Sequence, residues 1–197
     1  NGTTQTITNG IDLSTKGGML WTKCRSAAFS NALQDTVRGR NNILYSDSTV
    51  GNQAYSTSVN SFNTTGYTLG GETLTNQSGT TYVSWTFRKQ PKFFDIVTYT
   101  GDNTNNRQIS HSLGSAPGFI IVKNITNAQS WVCYHRSLGT GNYIMLNSTG
   151  SSGATANAFP TVTSTYFVPT ANESAFSLNT SGSTFVVYLF AHNAGGF

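Results

Sequence analysis

The chain has 197 residues with 11 basic and 7 acidic side chains, so only 9% of it is charged and its net charge is +4. Ordinary soluble domains carry about 25% charged residues, and Ser, Thr, Asn and Gly take that place here. No apolar run approaches the roughly 18 residues of a membrane span, and the basic residues do not cluster as they do in nucleic-acid binders. The composition therefore argues against membrane insertion and against nucleic acid as a partner.

The two halves of the chain follow one pattern, offset by about one hundred residues, which indicates a tandem repeat. The matching stretches are 16–23 with 116–123, 43–49 with 143–149, 66–69 with 165–168, and 78–87 with 181–190. A copy of this length can bury its own core, and it is too long for a solenoid unit of about 20–45 residues. We predict an internal duplication with domains at 1–90 and 91–197.

A central strand is predicted early in each copy. The apolar runs 19–23 and 119–123 end on Lys23 and Lys123. Such runs are typical of strands covered on both faces, and we expect the two lysine side chains to reach solvent at the strand ends.

The next segment is ambiguous in the first copy alone. Residues 26–33 have Ala and Leu at helical spacing, but their counterpart, 130–136, is aromatic and β-branched and favours a strand. We therefore predict strands in both copies, including residues 33–38.

Long polar loops and closing strands complete each copy. The loops at 47–60 and 147–160 are rich in Gly, Ser, Asn and Thr, and such loops are natural places for variable contacts. In the closing strand of the first copy, Val83, Trp85 and Phe87 alternate with polar residues, so we expect Trp85 in the core.

A strand is also predicted in the seam between the copies, at 91–101. Residues 1–3 correspond to those just after this seam strand, so the first strand of copy one is expected upstream of Asn1, in a longer polypeptide. Each copy then has about seven short strands and no long helix. The predicted fold is all-β, with two tandem antiparallel β-sandwich domains of immunoglobulin-like or jelly-roll size.

The two cysteines, Cys24 and Cys133, do not occupy equivalent positions in the copies. A disulfide framework would repeat with its domain. One bridge between the domains is conceivable, but two buried free thiols are the favoured prediction.

Eight segments of the chain carry a family resemblance: 18–23, 35–39, 61–69, 82–89, 92–101, 120–123, 134–138 and 190–197. They resemble a repeated domain of unknown function found in tail-fibre and other virion proteins of tailed bacteriophages, cyanophages in particular. The resemblance covers essentially the whole chain. The resemblance implies a distal or surface module of a long fibre protein, commonly a trimer, with no catalytic motif to carry over.

The residues themselves offer little catalytic chemistry. No serine lies in a Gly-x-Ser-x-Gly turn, and none of the three histidines sits at a repeated position. A glycan depolymerase would need two positioned carboxylates, and only Glu72, Glu173 and five aspartates are available. We expect no enzyme activity, no metal ion and no cofactor.

Candidate binding residues lie at strand ends and in one turn. Arg38 and Arg136 are roughly equivalent, with Asp35 beside the first and His135 beside the second. Each arginine either fixes a loop through carbonyl and carboxylate groups or contacts a sugar or a neighbouring subunit. Trp131 follows a polar turn and is the tryptophan expected to be partly exposed, as a platform for a sugar ring.

The leading hypothesis is a non-enzymatic structural or adhesion module of a phage tail fibre or other virion surface appendage. Its partners would be other virion proteins and further copies of itself, a trimer being favoured, and it would be assembled in the host cytoplasm. A second hypothesis is a lectin-like domain that recognises host glycans through the two polar loops and Trp131. A glycan depolymerase is the third.

Overall fold

A computed structural model describes residues 1–154, 158–171 and 176–192 of the chain. Regular structure in these residues is almost entirely β, the exceptions being a single-turn helix, α1 (Thr73–Asn76), and a 3-10 turn at Arg136–Leu138. The chain divides into two compact units, Asn1–Lys89 (unit 1) and Gln90–Phe197 (unit 2). The predicted boundary, between residues 90 and 91, differs from this division by one residue.

Unit 1 contains two antiparallel sheets. Its strands are β1 (Gln5–Thr8), β2 (Gly18–Cys24), β3 (Ala32–Asp35), β4 (Asn42–Tyr45), β5 (Gln53–Ala54), β6 (Val59–Asn63), β7 (Gly66–Leu69) and β8 (Tyr82–Arg88). The larger sheet has the order β5-β4-β3-β2-β8, and the smaller one has the order β1-β7-β6.

The core of unit 1 lies between these sheets. Leu20 of β2 meets Val59, Tyr67 and Leu69 of β6 and β7, together with Leu13 from the connection before β2. Fully burying a side chain of this kind contributes about 1.5–3 kcal/mol. Because side chains alternate along a strand, the neighbours of Leu20 on β2 point to the opposite, outer face of the larger sheet.

Unit 2 also contains two antiparallel sheets. Its strands are β9 (Phe94–Thr100), β10 (Ile109–Ser110), β11 (Pro117–Asn124), β12 (Val132–His135), β13 (Asn142–Met145), β14 (Gly153–Ala154), β15 (Thr161–Val162), β16 (Tyr166–Val168) and β17 (Thr184–Ala191). Their orders are β14-β13-β12-β11-β17-β9 and β10-β16-β15. The core joins both sheets through residues such as Tyr99, Ile120, Phe167 and Leu189.

The all-β prediction with antiparallel sheets is confirmed. The described residues form eight strands in unit 1 and nine in unit 2, against about seven predicted for each. Part of the excess is a two-residue strand inside each polar loop, β5 and β14. Backbone pairing of this length needs no apolar pattern, so composition alone did not indicate it.

The strand predicted at 33–38 is wrong in its second half. β3 ends at Asp35, and the Asp35 Oδ1 atom accepts hydrogen bonds from the backbone N–H groups of Val37 (3.0 Å) and Arg38 (2.8 Å). An aspartate that accepts from the residues just after it turns the chain, which removes those residues from the ladder.

Lys123 does not reach solvent as expected. Its side chain is fully buried, and its Nζ atom donates to the carbonyl of Gln129 at 2.7 Å. In unit 1 the Nζ atom of Lys23 donates in the same way to the carbonyl of Phe29, at 2.6 Å. The turn after each strand supplies an acceptor, so the lysine curls back onto it. Burial lowers the pKa of Lys123 to about 8.

Both cysteines are free and buried, as predicted. Burial raises the pKa of the Cys133 thiol to about 12, which makes that thiol a poor nucleophile at neutral pH. Within the described residues, no helix has the length and apolar character needed to cross a membrane.

Candidate functional site

Asp35 and Arg38 form a compact, buried pair in unit 1. The Arg38 Nε atom donates to Asp35 Oδ2 at 2.6 Å, and the two side chains are only 3% and 0% exposed. The remaining guanidinium nitrogens donate to Asn52 Oδ1 (2.9 Å) and to the carbonyl of Leu33 (3.2 Å). Each nitrogen of the fork therefore has a partner within the unit.

This geometry favours the loop-fixing interpretation of Arg38. The guanidinium ties the end of β3 to the loop before β5, and charge-assisted bonds of this kind are the strong ones. A polar contact from the same pair to a sugar or to a neighbouring subunit stays a prediction.

The expected exposure of Trp131 is wrong, because its side chain is fully buried. Its backbone N–H donates to Asn147 Oδ1 at 2.9 Å, and the Nζ atom of Lys123 lies 5.9 Å from the centre of its ring. The polar turn that precedes Trp131 indicated where the chain bends but not where the indole ring points.

His135 and Arg136 are exposed at the end of β12. The His135 Nδ1 atom accepts a hydrogen bond from the backbone N–H of Ser137 at 3.3 Å, and the imidazole lies 6.2 Å from the ring of Phe119. His135 thus caps the short 3-10 turn that Arg136 begins. Both side chains are available for a ligand, and their role stays a prediction.

The acidic residues of the described part of the chain form no metal-binding group. Glu72 precedes α1, and its carboxylate accepts a hydrogen bond from the Thr73 hydroxyl at 3.3 Å without capping a backbone N–H of that helix. Glu173 lies outside the described residues. Asp102 accepts from the N–H and hydroxyl of Thr104, which lowers its pKa to about 2, and it also accepts from Asn179. Among the described residues, no group of three or more His, Cys, Asp or Glu could hold a metal ion.

The surface that sequence reasoning missed is an aromatic one on unit 1. Trp85 was expected in the core, but it is 48% exposed. Its ring meets that of Trp21 edge-on, with centroids 6.2 Å apart and an interplanar angle of 66°. Trp21, Trp85 and Phe87 line an open recess of about 260 Å³, which we call the tryptophan recess.

The tryptophan recess follows from the register of β2 and β8. Trp21 lies directly opposite Trp85, while Ser84 turns to the other face, where its hydroxyl contacts that of Tyr67 at 2.6 Å. The two tryptophans therefore point to the outer face of the sheet. β8 is the last strand of that sheet, so Trp85 has a neighbouring strand on one side only.

Chemically, the tryptophan recess is an apolar surface formed by aromatic rings, two of which meet edge-on. Such surfaces suit ligands that have one apolar face and polar edges, as the ring of a sugar has. Alternation along 82–87 indicated that Val83, Trp85 and Phe87 share a face. It could not indicate that this face is open at Trp85.

Comparison with known proteins gives a family and no activity. No curated protein and no solved structure matches the chain. One family model matches residues 1–197 and so spans both units. The chain therefore belongs to the family described as Domain of unknown function (DUF7483).

Proposed function

We propose that the chain is a non-enzymatic structural and adhesion module of a tailed-phage tail fibre or another virion surface appendage. The support is its resemblance to repeated domains of such proteins, its charge-poor surface and its two β-rich units. Its partners in this role are other virion proteins and further copies of itself, with a trimer as the favoured assembly.

We also propose that the two units are copies of one β-sandwich that arose by duplication. Several hydrogen bonds that hold turns and loops in place recur at corresponding positions of the two units. The N–H of Asn31 donates to Asp47 Oδ1 at 3.0 Å, and that of Trp131 donates to Asn147 Oδ1 at 2.9 Å. The bonds from Lys23 and Lys123 to the carbonyls of the following turns form a second such pair.

The observation that carries the adhesion role is the tryptophan recess. A half-exposed tryptophan on a sheet face has an unfavourable contact with water unless a ligand covers it. This observation also favours the second candidate function, a lectin-like domain that binds host glycans. In that case the contact surface is Trp85 and Trp21 rather than the buried Trp131.

The virion role is tested by locating the chain in purified particles. We expect antibodies raised against the 197-residue chain to label a tail or surface appendage in electron micrographs, and light scattering of the purified chain to give three copies. Particles that carry no label and contain no peptide of this chain would overturn the proposal.

The glycan role is tested by binding to arrayed bacterial surface polysaccharides. We expect Trp85→Ala to weaken binding by about tenfold or more, since an aromatic hot spot is worth about 2 kcal/mol. Val37→Ala, which removes another exposed apolar side chain outside the polar loops, is the control and should bind normally. Equal binding by Trp85→Ala removes this candidate, and release of reducing sugar would favour a depolymerase instead.

A further inference from the structure

One edge of β8 is paired and the other is open. β2 takes the first edge, where the backbone N–H of Arg25 donates to the carbonyl of Thr81 at 2.7 Å. Bonding to one neighbour involves every second residue of a strand, so the intervening N–H and C=O groups point away from β2. The residues that carry them are Tyr82, Ser84 and Thr86. No strand of the described residues pairs with this edge.

In unit 2 the corresponding edge is filled. β17 has β11 on one side and β9 on the other, in the antiparallel sense. The N–H of Gly101 donates to the carbonyl of Ser183 at 2.7 Å. By the same alternation, the groups that β9 satisfies belong to Phe185, Val187 and Leu189.

The two edges correspond residue by residue. Trp85 lies opposite Trp21 on β2, and Tyr188 lies opposite Ile121 on β11. The three open residues of β8 lie at the same distances along the strand from Trp85 as the three β17 residues that bond to β9 lie from Tyr188. The two sets of residues therefore occupy corresponding positions. Unit 1 therefore has a complete backbone template for a strand that it does not contain.

Unit 1 has a partly open cavity at the same edge. This cavity of about 370 Å³ lies between its sheets, with Ile7, Tyr67, Tyr82 and Ser84 in its lining. Because Ser84 and Tyr82 belong to β8, the cavity reaches the unpaired strand.

In unit 2 the side chain of Tyr99, from β9, occupies the corresponding place. It is buried, stacks on Phe185 with centroids 5.0 Å apart, and meets Phe167 edge-on at 6.4 Å. Phe185 holds the position of Tyr82 in unit 1. Phe167 pairs with Ile109 as Tyr67 pairs with Ile7, so it holds the position of Tyr67, one residue later than the sequence match predicted. A strand added to β8 in the register of β9 would place a side chain in the cavity.

The contacts of Asn1 show where such a strand would enter. The nitrogen of Asn1 donates to Asn76 Oδ1 at 2.8 Å, and the N–H of Asp102 donates to Asn179 Oδ1 at 3.2 Å. Asn76 also bonds to the carbonyl two residues beyond Asn1, just as Asn179 does beyond Asp102. Asn1 thus lies where Asp102 lies, and Asp102 comes directly after Gly101 at the end of β9.

We propose that unit 1 is completed by a docked strand, an extended segment that comes from outside residues 1–197. This strand pairs antiparallel with β8 and places a large aromatic side chain, in the position of Tyr99, in the 370 Å³ cavity. Its chemistry is that of β9, apolar at alternate positions. The proposal does not depend on the virion role.

The added strand would cover part of Trp85. Its outer-face side chains would lie beside the indole ring, as Phe94 of β9 lies beside Tyr188 in unit 2. Edge pairing also removes a template for association with foreign strands. The alternative occupant of the edge is a second copy of this chain, which the experiment distinguishes.

The test compares the 197-residue chain with a version that has residues 92–101 of its own sequence fused directly before Asn1. We expect the amides of Tyr82, Ser84 and Thr86 to exchange with solvent about tenfold or more slowly in the extended chain, by nuclear magnetic resonance. The matched control carries Tyr99→Ser in the fused copy only. In this control the slowing of amide exchange, expressed as the logarithm of the rate ratio, should be less than half of that given by the unchanged segment.

Three results would overturn the proposal. The first is unchanged exchange at the three amides in the extended chain. The second is equal protection by the fused segment and its Tyr99→Ser control, which would disconnect the cavity from the strand. The third is protection in the 197-residue chain itself that grows with concentration together with a dimer, which would assign the edge to a second copy.

Discussion

Trp85 and Tyr188 hold the same place in two sheets whose first five strands follow the same order, yet they differ in burial. Trp85 is 48% exposed at the last strand of its sheet. Tyr188 is fully buried, and Phe94 of the next strand stacks beside it with centroids 6.4 Å apart. Both side chains point to the outer face, so neither closes the core between the sheets. The comparison shows that a strand's neighbours, and not its own pattern, decide whether its aromatic residues are covered.

The largest effect on stability is expected from creating in unit 2 a cavity like the one in unit 1. We expect Tyr99→Ala to lower the free energy of unfolding of unit 2 by about 3–5 kcal/mol, because it removes a buried ring and leaves a cavity. Urea denaturation with amide exchange assigned to each unit measures the change. Tyr99→Phe is the control, since it loses only the hydroxyl bond to the carbonyl of Leu178, about 1 kcal/mol. Equal losses in the two variants would contradict the comparison.

Lys123 should make the stability of unit 2 depend on pH. Its pKa is lowered to about 8 by burial, from 10.5 in the unfolded chain, so the unfolded state binds more protons between these values. Stability should therefore rise as the pH increases from about 8 to 10.5, by about 1–3 kcal/mol. Thermal or urea unfolding across this pH range measures the rise in stability, which should be absent in the Lys123→Met variant. Lys123→Arg, which keeps its charge, should also lose it, and a rise that persists in both variants would assign it to other groups.

Asn76 and Asn179 offer a matched pair of substitutions. Both amides are buried and hold the chain at the start of their unit through bonds to backbone groups. Replacing either with alanine removes the several hydrogen bonds of a buried amide, so each should cost about 1–3 kcal/mol in its own unit. Asn105→Ala, at an exposed position, serves as the control and should change stability by less than about 0.5 kcal/mol. A large loss in one unit with none in the other would argue that the contacts are not equivalent.

The smallest effect on stability is expected from replacing Trp85. Trp85→Ala should lower stability by only about 1 kcal/mol, since half of the ring is already in water and the main loss is its edge-on contact with Trp21. Denaturation of the purified variant measures this, with Tyr188→Ala as the buried counterpart at about 3–5 kcal/mol. If both variants lost the same amount, exposure would not be the difference between the two positions.

Sequence reasoning determined the local features of this protein. Runs of β-branched and aromatic residues between Gly, Asn and Ser turns predicted strands where β2, β4, β11, β12 and β17 form, and they excluded a long helix in the described residues. The aromatic counterpart 130–136 settled the ambiguous segment 26–33, which contains the start of β3 and no helix. These predictions succeed because alternation and turn chemistry act over a few neighbouring residues.

The tertiary structure decided what covers each strand. Lys123 is buried although it is charged, Trp131 is buried although it follows a polar turn, and Trp85 is exposed although it shares a face with Val83 and Phe87. The closure of Arg38 onto Asp35 and Asn52 required a loop 14 residues away to return to the end of β3. Burial and pairing depend on which distant segments lie alongside. Local patterns in the sequence therefore predict the strands, whereas the faces and edges that stay open depend on how distant segments pack in the fold.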